Sequence, residues 1–164
     1  MNVDNFREMY IAELQELRSV EAQLVEALPK MAVMASPPKL KQAIQAHFDE
    51  TRWQQSQLDE ILRRHGVDAR EHVDQAMQAM LKEAEKWAGM VQDQDLRDAG
   101  LIASAQRVEH YEIAVYGSLA TWAKQLGLDE DLQVLLDILE EEKRTDESLS
   151  TLAKRVVNPD AAAT

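Results

Sequence analysis

The sequence predicts an all-α protein: four long helices packed as a bundle, with one additional helix in the crossover between its two halves. Three observations carry this expectation. Only 5 Gly and 4 Pro stand among 164 residues, so few points exist at which a helix must stop. Apolar residues recur at alternating spacings of three and four along four long stretches, which places one buried stripe on each helix. Roughly thirty residues separate the second stretch from the next long one, which suits a crossover connection rather than a tight turn.

Segment one spans 3–35 and is closed by Ser36-Pro37-Pro38, a turn that also starts the next helix because proline suits a first helical position. Its stripe reads Tyr10, Leu14, Leu17, Glu21, Leu24, Leu28 and Met31. Segment two runs to 65, where Gly66 is placed to cap it. It reads Leu40, Ile44, His47, then Glu50 or Thr51, then Gln54, Leu58 and Ile61. Segment three, opened by Asp68 and ending near Gly89, carries a single stripe of Val73, Met77, Met80, Ala84 and Trp87. Segment four covers 95–126 with Gly127 as its cap, and reads Ile102, Gln106, Glu109, Ile113, Tyr116, Ala120 and Ala123. Segment five, N-capped by Asp129, reads Leu132, Leu135, Leu139, Glu142, Asp146, Leu149, Ala153 and Val156. Asn158-Pro159 is expected to end it, which leaves 1–157 as a single domain and 158–164 as a disordered tail.

Composition removes several classes of function. With 30 acidic and 18 basic residues the formal charge is −12, so the average surface repels phosphate backbones. Lys39-Leu40-Lys41 and Arg63-Arg64 are too small to make a basic stripe, and no nucleic-acid partner is expected. Cysteine is absent, which excludes thiolate chemistry and asks for no oxidising compartment. No apolar run is long enough to span a membrane, and no cleavable leader is visible. The expectation is a cytoplasmic protein without a membrane partner.

What interrupts the stripes is more informative. Every long helix places an acid on or beside its buried seam near mid-length. A carboxylate moved into a bundle core loses hydration worth several kcal/mol, and several together repel one another. They must protonate, pair with buried cationic side chains, or coordinate cations. Arg52, Arg107 and Lys143 flank the seams but do not lie on them. Carboxylates accompanied by a histidine suit Fe, Mn or Zn. At about 1.5 Å per residue, Glu21 and Glu50 both fall roughly 15–18 Å from the first hairpin's turn. In the second hairpin Glu109 and Glu142 match less closely, and Glu112 and Asp146 bracket the difference.

These residues also carry a resemblance. The run 108–120, Val-Glu-His-Tyr-Glu-Ile-Ala-Val-Tyr-Gly-Ser-Leu-Ala, is similar to the YciE/YciF family of ferritin-like proteins. So are Leu28-Pro29-Lys30-Met31, the stretch 47–51, and Leu139-Glu140-Glu141-Glu142-Lys143. The resemblance implies a ferritin-like bundle with an extra crossover helix, a homodimer, a dimetal carboxylate site and a bacterial stress association. The ferritin-like pattern has a lone Glu on two helices and Glu-x-x-His on the other two. Glu21 and Glu109 match the lone positions, and Glu50 and Glu142 match the paired ones. Trp53 and Thr145 stand where the two histidines would be. His47, one turn earlier, and Asp146, one turn later, are the substitutes on offer.

The expected metal ligands are therefore Glu21, Glu50, Glu109 and Glu142, with His47, Glu112 and Asp146 to complete the set. The expected cofactor is a dinuclear centre of Fe or Mn, with Zn also admissible. Its function would be to act on peroxide or oxygen, or to buffer metal during stress. The alternative is a non-catalytic structural or interaction protein whose inherited site is degenerate. Tyr10 and Tyr116 are expected as core residues bonded through their hydroxyls, His110 as a surface residue, and His65 and His72 as exposed residues at loop ends.

Overall fold

In the computed structural model, which describes residues 3–69 and 72–164, helices cover Phe6–Met34 (α1), Pro38–Arg64 (α2), Gln75–Met90 (α3), Gln94–Leu126 (α4) and Asp129–Leu152 (α5). A π-helical turn, Ala153–Val157, then leads into a short last helix, Asn158–Ala162 (α6). No strand occurs among the described residues.

α1 and α2 form an antiparallel hairpin in which Arg7 meets His65 and Arg18 meets Asp59. α4 and α5 form the second, with Gln106 against Ser150 and His110 against Asp146. α1 also packs on α4 and α2 on α5. The pairs α1–α5 and α2–α4 are therefore the diagonals of the bundle. α2 and α4 run in the same direction, and the long connection that this requires contains α3. That helix lies outside the four-helix core, against α4 and α1.

Local chemistry sets most of the ends. The Asn5 side chain accepts from the Glu8 N–H at 2.9 Å and caps α1. Pro38 opens α2 from the first-turn position where its missing N–H costs nothing. Gly127 ends α4 with φ 69°, and the Leu128 N–H returns to the Ala123 carbonyl at 2.9 Å. Three expected boundaries move. Asp74, not Asp68, caps α3, its carboxylate accepting from the Met77 N–H at 2.6 Å. Asp129 lies inside the first turn of α5, with Glu130 and Asp131, where the helix dipole favours acids. The chain also stays helical past Asn158-Pro159, because Pro159 falls in the first turn of α6 and needs no donor there.

The seam of α1 is buried along its whole length, from Tyr10 to Met31. On α2, Thr51 rather than Glu50 occupies the seam. α3 buries Met77, while Val73 and Trp87 are exposed, so its inward stripe is narrower than expected. Within the π turn Val157 is buried and Val156 only partly so, because the wider turn advances the inward face by one residue.

One end of the bundle is closed by a polar knot. The buried Asp131 carboxylate accepts from Tyr10 Oη at 3.0 Å, Arg64 Nη2 at 2.6 Å and His65 Nε2 at 2.6 Å. Arg7 Nη2 lies 3.0 Å from His65 Nδ1. His65 thus sits within the knot, with 6% of its side chain exposed, and not at an exposed loop end. His72 is half-buried and meets Glu16 at 2.8 Å.

Candidate metal centre

Midway along the bundle, the seams of three helices bring acids together and the fourth adds a histidine. Glu21 of α1, Glu109 and Glu112 of α4, and Glu142 of α5 are each at most 1% exposed. His47 of α2 joins them from one turn before Thr51 and is also buried. Glu109 and Glu112, three residues apart on one helix, share a face. Glu112 lay off the three–four stripe read from the sequence. α4 touches α1, α3, α5 and α6, and a helix with neighbours on several sides buries a wider face than one seam.

Few of the polar atoms are satisfied by the protein. Tyr116 donates its hydroxyl to Glu21 Oε1, and Gln54 donates its amide to Glu142 Oε1. His47 Nε2 stands 3.2 Å from Glu109 Oε1, in a direction unsuited to a hydrogen bond. Glu21 Oε2, Glu142 Oε2, both oxygens of Glu109 and Glu112, and both nitrogens of His47 are buried and receive no hydrogen bond from any other described residue, apart from a proton that Glu21 can share with Glu112 and Glu109 with Glu142. Native interiors leave few such groups.

The electrostatics follow from this crowding. Burial, then the Glu142 charge, pushes the Glu21 carboxyl well above its ordinary range, although Tyr116 and Glu112 partly oppose the shift. Glu109 and Glu112 are held high by the same two causes in the same order. Burial raises Glu142 to about 7 against the opposing bonds of Glu109 and Gln54. Burial lowers His47 to about 4, so its imidazole is neutral near pH 7, which is the metal-binding form.

Two expected ligands stand apart from this group. Glu50 is half-buried on the flank of α2 that faces α5, where Thr145 Oγ1 donates to it at 3.3 Å. Asp146 is partly exposed between α4 and α5, engaged by Gln106 at 3.2 Å and by the exposed His110 at 3.3 Å. Trp53 is 43% exposed. Tyr116 is a core residue bonded through its hydroxyl, as expected. The donor that sequence reasoning missed is Gln54, for which a polar group on a buried stripe was the available signal.

The donor set fits a hard or borderline cation. It holds oxygen and imidazole nitrogen and no sulfur. One donor atom from each of His47, Glu109 and Glu142 lies within 4.8 Å of the other two, and the free atoms of Glu21 and Glu112 extend the site. A cation there would meet the atoms that the protein leaves unbonded.

A family model described as "Domain of unknown function (DUF892)" matches residues 5–162. Protein YciF of Escherichia coli (strain K12) is 40% identical over 162 residues, covering 98% of this chain and 98% of that protein. The crystal structure of the E. coli stress protein YciF superposes with a TM-score of 0.90 at 39% identity, over 95% of this chain and 99% of that one. YcfI from Rhodopseudomonas palustris, described as a candidate structural protein, superposes with a TM-score of 0.89 at 35% identity, over 92% and 96% of the two chains.

Proposed function

This chain belongs to the DUF892 family, and from that membership and the buried acids at its centre we propose that it binds a carboxylate-bridged metal pair, Fe or Mn. The observation that carries the reading is the set of buried ligand atoms on Glu21, His47, Glu109, Glu112 and Glu142 without hydrogen-bond partners. Four ionised carboxylates match two divalent cations in charge, and the neutral His47 adds a donor without adding charge. Glu50 and Asp146 remain outer members of the proposed set, near enough for their charges to act on Glu142 and Glu109 respectively.

Such a pair supplies a Lewis-acidic, redox-capable centre for peroxide or oxygen, or a reserve of metal. The chain's own contribution is to hold the acids ionised around the cations, to keep His47 unprotonated, and to exclude bulk water. A cytoplasmic role under stress goes with this reading, supported by the likeness to a relative described as a stress protein. Assembly as a symmetric homodimer is part of the same proposal, and a monomer mass in sedimentation at micromolar concentration would remove it. Neither nucleic acid nor membrane is a partner in this reading; no helix among the described residues is long and apolar enough to cross a membrane.

Elemental analysis of protein purified without chelator tests the central claim, with two transition-metal ions per chain as the expected result. A second reading, a structural or interaction protein with a degenerate site, is favoured by Trp53 and Thr145 at the two histidine positions. Protein that carries no metal and shows no metal-dependent melting would establish that second reading instead.

A further inference from the structure

The four central carboxylates are not equivalent. Glu21 and Glu142 each have one oxygen engaged by a neutral donor, Tyr116 Oη and Gln54 Nε2 respectively, and one oxygen without a partner. Glu109 and Glu112 have no neutral donor at either oxygen; in the metal-free protein each faces another carboxyl instead, Glu109 that of Glu142 and Glu112 that of Glu21. Tyr116 and Gln54 are themselves fully buried, so neither donor has solvent to turn to. An oxygen that already accepts a hydrogen bond has one of its two lone pairs engaged and donates less to a cation than its free neighbour.

We propose that Tyr116 and Gln54 are positioning residues that fix how each carboxylate binds the metal pair. Glu21 and Glu142 are one-oxygen ligands, and two-oxygen ligation, whether bridging or chelating, falls to Glu109 and Glu112. The proposal rests on the metal-pair reading. It adds a division of labour that family pattern alone would not give, because that pattern assigns Glu109 and Glu21 alike to lone positions. It also gives a function to a tyrosine and an amide that would otherwise pass as core residues. Outer hydrogen bonds that orient a metal's ligands are a general device.

The test uses the full chain stripped of metal and reloaded with Mn(II). Infrared difference spectra of loaded against metal-free protein separate the two carboxylate modes, because one-oxygen ligation splits the paired C–O stretches widely and two-oxygen ligation splits them narrowly. Wild type should show both kinds. Glu21→Gln should remove a widely split pair, and Glu109→Gln a narrowly split one. Tyr116→Phe should convert the Glu21 signal from wide to narrow while the Mn content stays at the wild-type level. Gln54→Met should do the same for Glu142, and carries the test alone should Tyr116→Phe fail to fold. Packing changes alone would not move these bands between classes. Spectra unchanged in Tyr116→Phe and Gln54→Met at full Mn content overturn the positioning role and leave the metal reading standing. So does a wide pair lost in Glu109→Gln. Wild type that takes up no Mn(II) overturns both.

Discussion

His47 and Glu109 meet across the α2–α4 diagonal of the bundle, with Nε2 of one 3.2 Å from Oε1 of the other and no hydrogen bond between them. The imidazole is neutral and the carboxyl is held well above its ordinary range, chiefly by burial. The pair is therefore no buried ion pair. Its two atoms are close enough for a shared cation and badly directed for each other, so an ion between them should change the stability of the whole fold.

Mn(II) or Fe(II) should raise the melting midpoint of wild type, because a ligand bound only by the folded state stabilises by mass action. At a hundredfold excess over Kd the gain is about 2.7 kcal/mol, or roughly 5–10 °C for a chain of this length. Glu109→Gln should lose most of the bound metal and most of that shift. In chelator the same variant should melt no lower than wild type, since an amide replaces a buried carboxyl that the folded state otherwise has to keep protonated. Calorimetry of both proteins with metal and with chelator makes the comparison.

The metal-free protein should become less stable as pH rises above about 6.5. Folded, Glu21, Glu109 and Glu112 are held well above 4.5, by burial first and by the Glu142 charge second, and burial holds Glu142 at about 7. The unfolded chain ionises these groups near their ordinary values, so the folded state binds more protons through this window, and stability falls with rising pH. His47 acts in the opposite sense, lowered by burial from 6.5 to about 4, but its contribution is complete above 6.5. Melts in EDTA from about pH 6.5 to 8.5 should show a falling midpoint, shallower in Glu142→Gln. Saturating Mn(II) should cancel or reverse the slope, since metal and protons compete for the same oxygens. A midpoint that climbs with pH in EDTA would contradict the cluster's raised carboxyls.

Asp131→Ala should cost roughly 3 kcal/mol, measured by urea unfolding at pH 7, because it leaves Arg64, His65 and Tyr10 facing an empty site. Burial pushes the Asp131 carboxyl up, but the bonds from His65, Arg64 and Tyr10 outweigh it and hold the carboxyl below 3.8. Its contribution is therefore present above that pH and lost as pH falls through the lowered value. The gap between wild type and variant should shrink on the acid side.

Gly127→Ala should lower stability by about 1 kcal/mol, the cost of placing a Cβ in the left-handed conformation. Gly127 has φ 69° and nothing within 4 Å of an added Cβ, so backbone strain is the whole effect. A loss much greater than this by the same unfolding assay would mean that the α4–α5 turn carries tertiary contacts.

The bundle was legible because each long helix writes its inward face as a three–four repeat. All seven stripe positions of α1 are buried, and the turns at Pro37-Pro38 and Gly127 lie where their backbone chemistry requires. Glu21, Glu109 and Glu142 were legible for the same reason. Glu112 was only half legible, because a single-seam reading cannot see that α4 packs against α3 and α6 as well as α1 and α5. At the turn left open between Glu50 and Thr51, Thr51 takes the inward position and sends its hydroxyl back to the His47 carbonyl at 2.8 Å. The Asp131 knot joins residues over 120 apart in the chain, and local periodicity carries no trace of such a contact.

Every residue of the central cluster lies at least nine residues from either end of its helix. Fraying, which opens the first and last turns of a helix easily, does not reach that depth. An ion seated there is shielded from the fast, shallow motions of the fold and departs only when side chains rearrange together or helices part. Its residence would be a clock set by the rare openings of the bundle, so a brief exposure to chelator would leave it in place and a long one, or a warm one, would not.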